Sequence, residues 1–185
     1  DRDQGWQASS GRSERFGDVG SVEVLESRLS AGALDGVTHL DLSARGWGPR
    51  LAEALASAPG MRQVQVLKIS DNEIGPEGAR WLADSPHLEG LRALDAAGNE
   101  LGDEGMTALA GSAHLVRLHA LNVSGNDIGP EGARAVARSA TLVGLGSLDL
   151  TMDPIGPEGA SALAEARFTQ LEALFLLARE QGRDP

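Results

Sequence analysis

His87 and His114 stand 27 residues apart, in the matching stretches Ser85-Pro86-His87-Leu88 and Ser112-Ala113-His114-Leu115. Two imidazoles on neighbouring turns of a repeating chain could share a metal such as zinc. Zinc asks for three or four ligands, and the chain has no Cys and no carboxylate recurring at that loop position. The pair is read as surface-loop residues, with no metal site. Four glycine-rich turns, from Gly75, Gly102, Gly129 and Gly156, precede predicted helix starts. Backbone N–H groups in such a place can cradle a phosphate. Each turn, however, carries Glu or Asp where the anion would sit, and the only lysine, Lys68, follows Leu67 instead of a glycine-rich loop. His39 and His119 fall on predicted strands without triad partners at known spacing, and neither a G-x-S-x-G elbow nor an H-E-x-x-H helix occurs. Asn122-Val123-Ser124 spells a glycosylation sequon inside a predicted strand, where chance explains it better. The expectation is a non-enzymatic chain without catalytic residues, cofactor or metal.

Composition narrows the partners. A net charge of −11 over 185 residues disfavours nucleic acid and anionic membrane surfaces, both of which demand a basic face. No run of 18 apolar residues occurs, so no membrane-spanning helix is predicted. Hydrophobic residues reach 41% while aromatics reach only 3%. That core must be built from many small units, not from a few large anchors.

The elements that hold these residues repeat. Leu40, Leu67, Leu94, Leu121 and Leu148 are each 27 residues apart, as are Val37, Val64, Leu91, Leu118 and Leu145. The tetrads Gly75-Pro76-Glu77-Gly78, Gly102-Asp103-Glu104-Gly105, Gly129-Pro130-Glu131-Gly132 and Gly156-Pro157-Glu158-Gly159 keep the same step. Each unit reads as a strand, a turn, and a short helix that starts at the tetrad. Pro at the first helical position loses no hydrogen bond, and the Glu after it complements the helix dipole. Ala79, Leu82 and Ala83 then form an inward stripe.

The pattern LxxLxLxxNxL, seen as Val64–Leu67–Ile69–Asn72–Ile74, Leu91–Leu94–Ala96–Asn99–Leu101 and Leu118–Leu121–Val123–Asn126–Ile128, resembles a leucine-rich repeat protein. The similarity is to the long-repeat subclass of ribonuclease inhibitor and covers roughly residues 37–180. It implies an α/β fold: a right-handed solenoid forming a horseshoe arc, with a parallel sheet on the concave face and helices on the convex face. It also implies that Asn72, Asn99 and Asn126 bond backbone groups of neighbouring turns. Arg45 and Asp153 replace Asn at the two ends, and an ionised Asp153 accepts hydrogen bonds but donates none. One unit cannot bury its apolar face alone, so stacking is required on physical grounds too.

Along the chain the expected organisation is a mobile N-terminal arm over 1–20, with Trp6 and Phe16 as candidate anchoring points. A capping helix follows over 21–36, then five repeats over 37–170 and a partial sixth over 171–185. Side-chain alternation places Asp41, Lys68, Asp95, Asn122, Asp149 and Phe175 in one column on the concave face. These are the candidate partner-binding residues, and the acidic column implies a protein partner with a basic patch. Trp81, in a column otherwise of Ala, is a candidate convex anchor, because Trp is enriched at binding hot spots. The function expected is a protein–protein interaction scaffold. The alternatives are an accessory regulator of a small GTPase, on family analogy alone, and the sensor or docking portion of a larger signalling protein.

At the C-terminal end Leu171, Leu174 and Leu176 keep the repeat motif, so a sixth strand is expected with those three in the core. Phe175 and Leu177 then face the concave side, and the open edge offers a route to a homodimer. A helix through Leu171, Leu174, Phe175 and Ala178 is the competing pattern. The lack of Cys favours a cytoplasmic location, although a first residue of Asp also fits a chain whose signal peptide has been removed. The near-exclusive use of Arg over Lys fits a bacterial, GC-rich source.

Overall fold

The computed structural model describes residues 12–15 and 19–176. Seven parallel strands lie in sequence order: β1 (Arg12–Arg15), β2 (Val37–Asp41), β3 (Val66–Lys68), β4 (Ala93–Asp95), β5 (Ala120–Asn122), β6 (Ser147–Asp149) and β7 (Ala173–Phe175). Helices alternate with them: α1 (Val22–Ser30), α2 (Pro49–Ser57), α3 (Gly75–Asp84), α4 (Gly102–Gly111), α5 (Pro130–Arg138) and α6 (Gly156–Ala164). The result is an open solenoid, with the sheet on one face and α2 to α6 stacked on the other. Strand pairing keeps the 27-residue register, with Leu40, Leu67, Leu94, Leu121 and Leu148 side by side. The last step, Leu148 to Leu174, is one residue shorter.

Those leucines are buried, and so are the helix residues that face them, Leu55, Leu82, Leu109, Val136 and Leu163. Small residues let the helices approach. A Cβ on Gly132 would lie 2.7 Å from Ile128 Cγ2, and one on Gly159 would lie 2.9 Å from Ala133 Cβ. Gly132 and Gly159 therefore have no room for a side chain, whereas α2 carries the buried Leu51 at the equivalent step.

Two side-chain ladders tie the turns together. At the strand ends, Asn99 Oδ1 accepts from the Asn72 and Ile74 N–H groups at 3.0 and 3.3 Å, and Asn126 Oδ1 does the same for Asn99 and Leu101 at 2.8 and 3.3 Å. Each amide nitrogen donates to three carbonyls; for Asn99 these are Ile69, Ala96 and Ala97 at 2.9 to 3.1 Å. At the opposite rim runs a ladder of serines. Ser85, Ser112 and Ser139 Oγ donate to the carbonyls of Ala56, Ala83 and Ala110, 29 residues earlier, at 2.7, 2.5 and 2.6 Å. Each hydroxyl also accepts an N–H two residues on, from His87, His114 and Thr141. In the Ser-x-His-Leu stretches, then, the serine holds the turn.

Asp103 is a departure with a structural purpose. It stands where the neighbouring tetrads have Pro, and its Oδ1 accepts from Gly129 N and Gly132 N, at 2.8 and 2.6 Å, at the start of α5. Asp103→Ala removes a carboxylate acceptor from two helix-start donors. A loss of about 1.5–3 kcal/mol is expected in urea denaturation, because hydrogen bonds to charged groups exceed neutral ones.

Two expectations change. Within 1–20, Arg12–Arg15 belong to the fold: they pair with β2 through backbone groups, and Val19 is buried. Backbone pairing leaves no apolar period, so composition alone does not reveal this strand. Trp6 and Phe16 lie outside the described residues. At the other end the chain forms a strand, not a helix, but Leu176 is 37% exposed instead of core. No following turn covers it among the described residues, and Leu171 and Leu174 are themselves only partly buried. Leu177 lies outside the described residues.

Candidate functional site

The concave face begins with the registered column Asp41, Lys68, Asp95, Asn122, Asp149 and Phe175, one residue per strand from β2 to β7. All six are half-buried. Parallel strands lie about 4.8 Å apart, so neighbouring charges interact directly. Asn122 Nδ2 donates to Asp95 Oδ1 at 3.0 Å, joining two strands within the column. Burial pushes the Asp95 carboxyl up; the Ala97 N–H and the Lys68 ammonium oppose that, while Asp41 and Asp71 add to it. Burial is the larger effect.

These side chains have a local task as well. Asp41, Asp95, Asn122 and Asp149 each use Oδ1 to accept the N–H two residues on, from Ser43, Ala97, Ser124 and Thr151, at 2.8 to 3.4 Å. Their choice is thus partly fixed by the turn that ends each strand. A position that needs only this acceptor takes Asn as readily as Asp, as Asn122 demonstrates. The charge is separable from the turn.

Flanking the column, Ser43, Ser70, Ala97, Ser124 and Thr151 follow it in sequence, and His39, Val66, Ala93, Ala120 and Ser147 precede it. None is bulky apart from His39 and Val66. The surface is shallow, polar and acidic, and it ends at β7 with Phe175 and the exposed Leu176. No group of three or more His, Asp or Glu able to hold a metal occurs among the described residues. His87 and His114 each engage a charged neighbour one repeat back: Arg62 Nε donates to His87 Nδ1 at 3.1 Å, and His114 Nδ1 lies 3.1 Å from Glu89 Oε1. No helix among the described residues is long and apolar enough to cross a membrane.

Trp81 projects from α3 on the convex face and is 43% exposed, beside the ion pair of Arg80 with Glu104 at 2.6 Å. It and the acidic column lie on opposite faces, so one compact partner cannot cover both. At the N-terminal end the Arg45 guanidinium lies over the Trp47 ring, 5.5 Å from its centroid. Its backbone N–H starts the asparagine ladder by donating to Asn72 Oδ1 at 3.3 Å. At the C-terminal end Asp153 occupies the ladder position: its Oδ1 accepts from Asn126 N and Ile128 N at 2.8 and 3.0 Å. Burial pushes its carboxyl up to about 6, against the pull of those two N–H groups and with help from Asp127 and Asp149.

Comparison with known families places four matches to a Leucine Rich repeat profile on residues 61–83, 87–110, 117–137 and 145–164. Each match runs from one turn through a strand and helix or part of them, in step with the 27-residue period. No curated protein matches the chain.

Proposed function

Because the chain is a leucine-rich-repeat α/β solenoid, a kind of module that generally mediates protein–protein interaction, we propose that it is a non-enzymatic scaffold binding a basic partner on its concave sheet. The period of 27 residues and the helix in every repeat favour the ribonuclease-inhibitor-like subclass within that family. The observation that carries the reading is the registered column of three carboxylates, Asp41, Asp95 and Asp149, against one ammonium, Lys68. Small flanking side chains leave those carboxylates reachable by long Arg or Lys side chains. A standard interface takes about 800 Å² per partner, which the sheet and its rims can supply.

Replacing Asp95 and Asp149 by Asn tests the charge without disturbing the turn, since Asn122 performs the same N–H acceptance. Association with an arginine-rich probe peptide, followed by surface plasmon resonance at low salt, is expected to slow by about tenfold. Dissociation changes less, because steering acts on encounter. The melting temperature should stay within a few degrees of the parent. An association rate that ignores the double substitution removes the concave face as the docking surface.

A further inference from the structure

Strands and helices run in opposite directions in every repeat, so the solenoid has two chemically different rims. At the rim where strands end and α3 to α6 begin, residues 71–77, 98–104, 125–131 and 152–158 carry ten Asp or Glu and no Lys, Arg or His. At the other rim, residues 57–65, 84–92, 111–119 and 138–146 carry four Arg and three His against two carboxylates. The second ratio inverts the chain's own balance of 27 acidic to 16 basic residues. We propose that this Arg/His rim, centred on Arg92, Arg117 and Val116, is a docking surface for an acidic peptide segment of a protein partner.

The fold accounts for the acidic rim but not for this one. Glu77, Glu104, Glu131 and Glu158 lie in first helical turns, where a carboxylate complements the dipole. The corresponding argument would put bases in last turns, yet the last turns of α2, α3, α4 and α6 hold none; α5 has Arg138. Arg92, Arg117 and His119 sit beyond the helices, just before β4 and β5. Helix electrostatics does not call for them there.

Their geometry suits carboxylates. The His119 N–H donates to the Arg92 carbonyl at 2.7 Å, so these two residues leave adjacent turns side by side. Arg92 and Arg117 are exposed, and neither forms an ion pair with any described residue. A guanidinium presents a planar fork of donors that matches a carboxylate in two bonds, which an ammonium does not. Glu89, three residues before Arg92, is already engaged by His114 Nδ1. Val116, next to Arg117, is 58% exposed and adds an apolar contact. The fitting ligand is a short acidic stretch that includes one apolar side chain.

The opposing acidic rim does not veto this. The rims are separated by a helix of nine or ten residues, about 14 Å at 1.5 Å per residue. At about 0.1 M salt the screening length is ~10 Å, so contact pairs persist while the far rim is attenuated.

Fluorescence anisotropy with a labelled peptide of Glu-Glu-Leu repeats at about 0.1 M salt tests the proposal. Saturable binding is expected, weakened at least tenfold by Arg92→Glu with Arg117→Glu. The milder Arg117→Gln should weaken it a few-fold with an unchanged melting curve. The Asp95→Asn, Asp149→Asn protein should bind the acidic peptide as the parent does, which separates this surface from the concave one. No saturable binding, or binding indifferent to both Arg substitutions, overturns the proposal. So does an RNA oligonucleotide that binds more tightly with the same Arg dependence, because the rim would then read phosphate instead of carboxylate.

Discussion

Asn99→Ala is expected to destabilise the solenoid by about 3–5 kcal/mol. The Asn99 amide serves five backbone groups at once: the N–H groups of Asn72 and Ile74 and the carbonyls of Ile69, Ala96 and Ala97. The side chain is fully buried, so water cannot replace it without opening the turn. An unsatisfied buried group costs roughly 1–3 kcal/mol, and relaxation recovers part of the summed penalty. Asn122, 23 residues on in sequence, gives the internal control. Its amide bonds the half-buried Asp95 and the Ser124 N–H at the sheet surface, where solvent substitutes. Asn122→Ala should cost about 1 kcal/mol or less. Parallel urea titrations of the two variants decide the matter; equal losses would mean that the ladder does not hold the turns together.

The Asn column is readable in sequence for the same reason that it is costly to remove. Only an amide offers both an acceptor for two N–H groups and two N–H donors, here shared among three carbonyls. A repeat that needs both must write Asn at the same step, and it does so at 72, 99 and 126. The leucine columns are readable because a buried strand position tolerates little but aliphatic side chains. Contacts that work through the backbone leave no such mark. Arg12–Arg15 join the sheet by main-chain pairing, and nothing in their side-chain types signals it. Asp103 bonds N–H groups 26 and 29 residues away, a link that a departure from Pro to Asp does not announce. The serine ladder uses a residue type common in any surface turn, so its recurrence at 85, 112 and 139 does not announce a bond to the preceding repeat.

The concave column shows a different limit. Register and alternation place Asp41, Asp95 and Asp149 correctly on one face, because period 2 along a strand is geometric. Whether their charge serves a partner or the turn is not encoded in position, since one Oδ1 meets the local requirement in every case. The second carboxylate oxygen and its charge exceed that requirement. That surplus is the property a partner would read.

Asp153→Asn is expected to stabilise the protein at pH 7.5 by about 1–3 kcal/mol, an unusual direction for a substitution at a buried polar position. Asp153 is 2% exposed and closes the asparagine ladder. Its Oδ1 does what the Asn acceptors do, but its Oδ2 is buried without a hydrogen-bond partner among the described residues. In Asn126 the corresponding atom is the amide nitrogen, which donates to Ala96, Val123 and Ser124. One repeat later the equivalent carbonyls belong to Val123, Leu150 and Thr151. An ionised carboxylate has no proton to give them, whereas a protonated one has one and an amide has two. Burial accordingly pushes the carboxyl up from 3.8 to about 6. Between those values the folded chain holds a proton that the unfolded chain has released, so stability falls as pH rises from about 4 to about 6. Above that window the whole penalty is present, and below it the penalty vanishes. The Asn variant carries no such titration. The gap between the two proteins in denaturation midpoint should therefore be widest above pH 7 and should close on acidification through the window. A gap that stays constant with pH, or a variant less stable than the parent at pH 7.5, would show that the Asp153 carboxyl is ionised and satisfied in the fold. In that case the C-terminal turn would be built for a charge instead of a proton.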